Sequence, residues 1–184
     1  MPADKVEKYP SPAVAWHWVL AALAFALYAI GWYMVELPKR TPPVAFWYNL
    51  HKSIGIVSAI PVVWLLVWRL RKPPPPLPAA MSRWEVRAAE ISHKLFYVCL
   101  VVLVLSGLVE SNFTKWGIKF FGLEIPPLFS EDTRLYYFFN RIHVYTSHIF
   151  SALVAIHIAA ALKHWLVDRD RVVHRMLPGK EPHH

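Results

Sequence analysis

Cysteine is almost missing from this 184-residue chain: Cys99 stands alone. One thiol excludes an intrachain disulfide, a CxxCH covalent haem site, an iron–sulfur ligand set and a cysteine zinc finger. Charge is sparse as well, at 17% of residues. No helix-turn-helix, glycine-rich phosphate loop or RNA-stacking motif is present. The net charge of +8 is therefore not a nucleic-acid signal. Solenoid repeats are absent. What the chain has in quantity is apolar residues, 56% of the total with mean hydropathy +0.33, and ten histidines among nine Trp, eight Tyr and ten Phe. Such a chain is too apolar for disorder and unusual for a soluble domain of this length.

A bilayer core takes about 20 apolar residues as helix. Four stretches qualify, from about Ala13 to Leu37, Leu50 to Leu70, Ile91 to Val109 and Ile142 to Val167. Their interiors carry no Asp or Glu, and Lys163 is the one cation away from the very ends. They predict one all-α domain over residues 1–184, a bundle of four transmembrane helices. A buried soluble bundle would keep too little polar surface to dissolve. A cleaved signal peptide is a poor fit to a first stretch containing Trp16, His17 and Trp18 without a small-x-small site before Tyr33. Pro61 is expected to kink the second helix, and PPPPLP after it reads as a stiff extended spacer.

Basic residues are unevenly shared between the two ends. The first segment, the second connection and the tail carry thirteen Lys and Arg, against seven on the opposite side. The excess marks the cytoplasmic face, with both termini inside. The long outer connection, residues 110–141, holds FTKWGIKFFG, LEIPPLF and YYFFN. It reads as a short amphipathic segment at the interface or as an aromatic anchor belt.

Histidine within a span is costly and usually functional. His17 lies near the start of the first helix, His51 near the start of the second, and His143 and His157 on the fourth. The last two are 14 residues apart. That places them on one helix face, roughly 21 Å apart along the axis. Depth decides the pairing: His51 meets His143 on the outer side, and His17 meets His157 on the inner side. Two imidazole pairs at two levels match two b-type haems with bis-histidine ligation. Small residues beside the ligands, Gly55 above all but also Ala21, Ala24, Ser147, Ala160 and Ala161, leave flat space for a macrocycle, although helix packing also uses such residues. A zinc or di-iron site would want clustered ligands with carboxylates, and a proton relay a buried acid. His93 opens the third helix with no depth-matched partner and reads as a non-ligand. His148 faces away, and His174, His183 and His184 lie in a polar tail.

The chain resembles the prokaryotic cytochrome b561 family. The resemblance rests on AWHW, NLHKSIGI, RLRKPPPP, the FG-x-x-IPPL stretch, the NRIHVYTSHIF…IHIAAALKHW pattern and the DRD…RMLPG tail. It spans nearly the whole chain. It implies haem ligands at His17, His51, His143 and His157, matching the pairing from depth. It also implies quinone-linked electron transfer in the bacterial inner membrane, with superoxide as donor and ubiquinone as acceptor in some members. The same four-histidine core is similar to cytochrome b subunits of larger dehydrogenases and hydrogenases, and a non-catalytic haem-binding module is a third reading.

On this reading electrons pass from the outer pair to the inner pair and on to quinone. Lys52 and Arg141 flank the outer ligands as propionate candidates. Lys39, Arg40, Lys115, Lys119 and Arg134 are candidates for steering a small anion, or for binding lipid headgroups and nearby acids. His164, Arg69, Arg71 and Lys72 are the quinone candidates, with the positive-inside flank as the alternative role of the cations.

Overall fold

The computed structural model describes residues 7–39, 41–78 and 81–179. Lys5, Arg40, Lys180, His183 and His184, which enter the charge and histidine readings, lie outside the described residues. Four long helices form: α1 (Ser11–Glu36), α2 (Pro42–Arg71), α3 (Arg83–Asn112) and α4 (Thr133–Leu162). All four are long and apolar enough to cross a membrane. Three begin eight or nine residues before their apolar stretch, because caps rather than hydropathy set a helix end. Ser82 and Glu85 form a capping box at α3. The Asp132 carboxylate accepts from the Arg134 and Leu135 amides at α4. Pro42 and Pro43 open α2, where a missing N–H leaves no helical bond unmade. Pro61 lies inside α2, which runs through it unbroken, and Pro61 is buried against the bundle.

The bundle is inside-out by the standard of a soluble protein. Phe25, Trp32, Ile60, Leu70 and Ile156 are exposed, while Ser53, Ser58, Ser106, Ser111, His164 and Arg175 are buried. In water such an outer surface would aggregate; in hydrocarbon it is the favourable arrangement. The serine hydroxyls are satisfied locally, each donating to a carbonyl three or four residues back on its own helix.

α1 packs on α2, α2 on α3 and α3 on α4. The ends of the molecule differ. At the terminal end, Arg175 in a short 3₁₀ turn donates to the carbonyls of Glu7 and Pro75 (2.9 Å each) and lies over the Tyr9 ring. One buried guanidinium thereby joins the start of the chain, the extended proline spacer and the tail. Trp18 adds a bond from α1 to the Met176 carbonyl (2.7 Å).

The other end corrects the reading of residues 110–141. In place of an amphipathic segment there is an antiparallel hairpin, β1 (Ile118–Phe120) paired with β2 (Leu123–Ile125). Phe121 (φ 46°) and Gly122 (φ 97°) make the two-residue turn, the positive-φ pair that matches strand twist. Gly117 (φ 56°) bends the chain into β1; a Cβ there would lie 2.7 Å from the Ile125 carbonyl oxygen. Trp116, Phe121, Leu123 and Leu128 are exposed along the hairpin, whose backbone is extended. The hairpin is pinned to α2. Ser53, 1% exposed, shares its one hydroxyl hydrogen between Asn49 O (2.8 Å) and Lys119 O (3.1 Å) and accepts from Phe121 N–H, and Lys52 Nζ donates to Gly117 O.

Candidate haem sites

The four histidines singled out by depth come together in two couples. The rings of His51 (α2) and His143 (α4) have centroids 6.2 Å apart, and those of His17 (α1) and His157 (α4) 6.3 Å apart. Neither couple is in contact stacking, and no hydrogen bond links the partners. A metal–imidazole bond of about 2.0–2.1 Å plus about 1.1 Å from nitrogen to ring centre, taken twice, puts facing rings roughly 6.3 Å apart. The spacing leaves room for one metal ion between the two imidazoles of each couple.

Around the hairpin-end couple lies a cavity lined by Ala24, Gly55, Ile118, Ser147 and Phe150 and by the two rings. A Cβ on Gly55 would meet nothing within 4 Å, so this glycine faces open space, as a residue beside a macrocycle must. Two further glycines do the opposite. A Cβ at Gly31 would lie 3.3 Å from His51 Cε1, and one at Gly107 would lie 3.1 Å from His143 Cε1. α1 and α3 each back one of these rings with bare backbone. Neither glycine stands out in the sequence, since each is remote from any histidine along the chain.

Ring nitrogens are treated unequally. His143 Nδ1 lies 3.1 Å from the Leu103 carbonyl oxygen and 3.2 Å from Ser106 Oγ. His51 Nδ1 is buried with no side-chain partner.

Lys52 and Glu110 also line this cavity. Glu110 belongs to α3, where its carboxylate accepts from Asn140 Nδ2 (3.1 Å). Hydropathy assigns it to the outer connection, so the sequence reading missed an acid inside the bundle. Arg141, the other propionate candidate, instead lines an open groove with Arg134, Tyr137 and Tyr145 on the outer face of α4. Lys119 is engaged by Glu124 (2.8 Å), whose carboxyl that ammonium holds below the usual carboxylate range.

The terminal-end couple is dressed with rings. Phe96 lies edge-on 5.5 Å from His157, and Trp18 edge-on 5.5 Å from His17. His93 is 6.2 Å from His157, as close as His17 is. Pairing by depth leaves His93 without a partner; the structure sets it as a third imidazole at this level.

Each quinone candidate makes its own local contacts. His164 is buried in a π-helical turn (Lys163–Asp168) that follows α4. Its Nδ1 lies 2.7 Å from Asp170 and 3.2 Å from Asp168. Lys163 bridges Glu85 (2.7 Å) and Asp168 (2.6 Å), tying α4 to the start of α3. Glu85, His164 and Asp168 have the spacing of a metal triad, but the Lys163 ammonium already serves both carboxylates. Arg69 faces the Tyr97 ring (6.0 Å), Lys72 lies over Trp68 (4.5 Å), and Arg71 closes α2. His148 Nδ1 donates to Val144 O on its own helix.

The chain is similar to known proteins over nearly its whole length. The family described as prokaryotic cytochrome b561 matches residues 8–179. Cytochrome b561 homolog 2 of Escherichia coli K12 is 31% identical over 179 residues, covering 93% of this chain and 92% of that protein. Cytochrome b561 homolog 1 of the same organism is 22% identical over 96% of this chain and 100% of its own length. A Yersinia pestis protein named probable superoxide oxidase CybB is 26% identical over 95% of this chain and 98% of its own. With a family match across nearly its whole length and four membrane-spanning helices, the chain belongs to the prokaryotic cytochrome b561 family, multi-pass membrane proteins of electron transfer that bind b-type haem.

Proposed function

We propose that the protein is a di-haem oxidoreductase that takes single electrons from superoxide at its hairpin end and delivers them to ubiquinone near its terminal end. The observation behind this reading is the two imidazole couples, 6.2 and 6.3 Å across, carried about four turns apart on α4. His51 and His143 would hold one haem, and His17 and His157 the other. Bound there, b-type haems supply reversible one-electron chemistry, which lets two single electrons be collected for a two-electron acceptor.

The chain's own residues do the rest. Gly55 leaves room for the macrocycle, and Lys52 offers an ammonium to a propionate. Ile118 and the hairpin behind it exclude water from the hairpin-end site. Lys39, Lys115, Arg134 and Arg141 supply positive charge that draws a small anion toward that end. At the other end, His164, held by Asp170 and Asp168, can relay a proton to a quinone oxygen, and Arg69, Arg71 and Lys72 offer cations to the head group. Two superoxide anions lose one electron each and leave as dioxygen; the quinone gains two electrons and two protons and leaves as quinol. The excess of Lys and Arg at the terminal end favours an inner-membrane orientation with both termini cytoplasmic, so the donor approaches from the periplasm. The name of the Yersinia relative supports this donor.

The test is purified protein in detergent or proteoliposomes, with a superoxide-generating system and a ubiquinone analogue. Quinol should form without any other subunit, and a pyridine haemochrome assay should give two haems per polypeptide. Reduction only with a co-purifying dehydrogenase would make the chain a cytochrome b subunit instead. Two reduced haems that never react with quinone would leave a haem-binding module.

A further inference from the structure

We propose that Ser106 is a positioning residue for the hairpin-end haem: it accepts part of the His143 Nδ1–H bond and so fixes that ligand's orientation and lowers the haem's midpoint potential. The inference rests on the reading of His143 as an axial ligand.

The hydrogen-bond directions follow from the partners. The Leu103 carbonyl, 3.1 Å from His143 Nδ1, can only accept, so Nδ1 carries the proton and Nε2 keeps its lone pair for a metal. Ser106 Oγ lies 2.6 Å from the Val102 carbonyl, which takes the one hydroxyl hydrogen. Toward His143 Nδ1, 3.2 Å away, the serine therefore presents a lone pair. The Nδ1–H is shared between two acceptors, both from α3. Gly107, the next residue, has no Cβ to hold the ring off. The glycine lets the imidazole come close and the serine catches it.

An acceptor on the distal N–H makes a ligating imidazole a stronger donor to the metal. Stronger donation favours ferric over ferrous iron and lowers the potential. Ser106 is 4% exposed, so no water competes for the bond. No side-chain acceptor reaches Nδ1 of the opposite ring, His51, so the serine acts on one side of the couple only.

The experiment is spectroelectrochemical titration of the holoprotein with Ser106→Ala and Ser106→Thr, with haem counted in each. Electron paramagnetic resonance of the low-spin ferric haems is recorded alongside. His51→Ala, which keeps only the terminal-end haem, identifies which midpoint is which. Ser106→Ala should keep both haems and raise the hairpin-end midpoint alone. At fixed ambient potential its ferrous-to-ferric ratio should rise roughly threefold to tenfold, the equivalent of one modest hydrogen bond. Its ferric signal should shift as the ring loses one of two restraints, and Ser106→Thr, which keeps the acceptor, should restore both. Two bound haems with the hairpin-end midpoint unmoved in Ser106→Ala, or both midpoints moving together, would overturn the proposal. Failure of the ligand reading looks different: His143→Ala would then retain two haems.

Discussion

The two histidine couples have nearly the same span and quite different surroundings. At the hairpin end the ring planes are close to perpendicular, at 82°, and the rings are held by bare backbone at Gly31 and Gly107 and by bonds to Leu103 and Ser106. At the terminal end the planes make 58°, and the rings are hemmed in by Phe96, Trp18 and His93. Among the described residues, no hydrogen bond reaches a ring nitrogen of His17 or His157. One site is set by hydrogen bonds and the absence of side chains, the other by the bulk of side chains. The first should respond sharply to the gain or loss of single atoms. The second should resist small changes, because packed aromatic contacts are many and individually weak.

The harshest way to separate the sites is to remove ligands. His51→Ala or His143→Ala should halve haem per polypeptide and leave the terminal-end spectrum; His17→Ala or His157→Ala should do the reverse. His93→Ala should keep both haems, and loss of the terminal-end haem in that variant would transfer the ligand role from His17 to His93. Next in size is Gly117→Ala. It forces an alanine into φ 56° with its Cβ 2.7 Å from Ile125 O, at a cost of about 1–3 kcal/mol to the hairpin. Heating should then release the hairpin-end Soret contribution first, with the other unchanged. Gly107→Ala crowds His143 from 3.1 Å and should cost about 1–2 kcal/mol of haem retention at that end only. Gly31→Ala, at 3.3 Å from His51, should do less, and titrating haem into apoprotein measures both. The smallest change is Ser53→Ala, which unpins the hairpin from α2 at about 1 kcal/mol. A hydrophilic reductant should then reach the hairpin-end haem faster in stopped flow, while the terminal-end rate holds.

The bundle was legible because lipid demands long apolar runs, and the four histidines because a polar ring in such a run needs a reason. Their pairing followed from helix direction alone. The helix ends were not legible from hydropathy: α4 begins at Thr133, where Asp132 caps it, nine residues before its apolar stretch. The hairpin hid behind aromatics that suit an interface in any backbone, though the positive-φ Gly117 and Gly122 were its trace. Gly31, Ser106 and Gly107 act on histidines from neighbouring helices, and Glu110 turned inward at a helix end. No sequence spacing encodes such meetings, which exist only once the helices have packed.

α4 contributes a ring to both couples, so the interval from His143 to His157 works as a ruler. Substitutions along it change what the ruler is made of; an insertion or deletion changes where its marks fall. One added residue between the marks would swing one ring about 100° away from its counterpart and shift it about 1.5 Å in depth. Divergence of this protein is therefore expected to keep the length of that interval while rewriting nearly every residue within it.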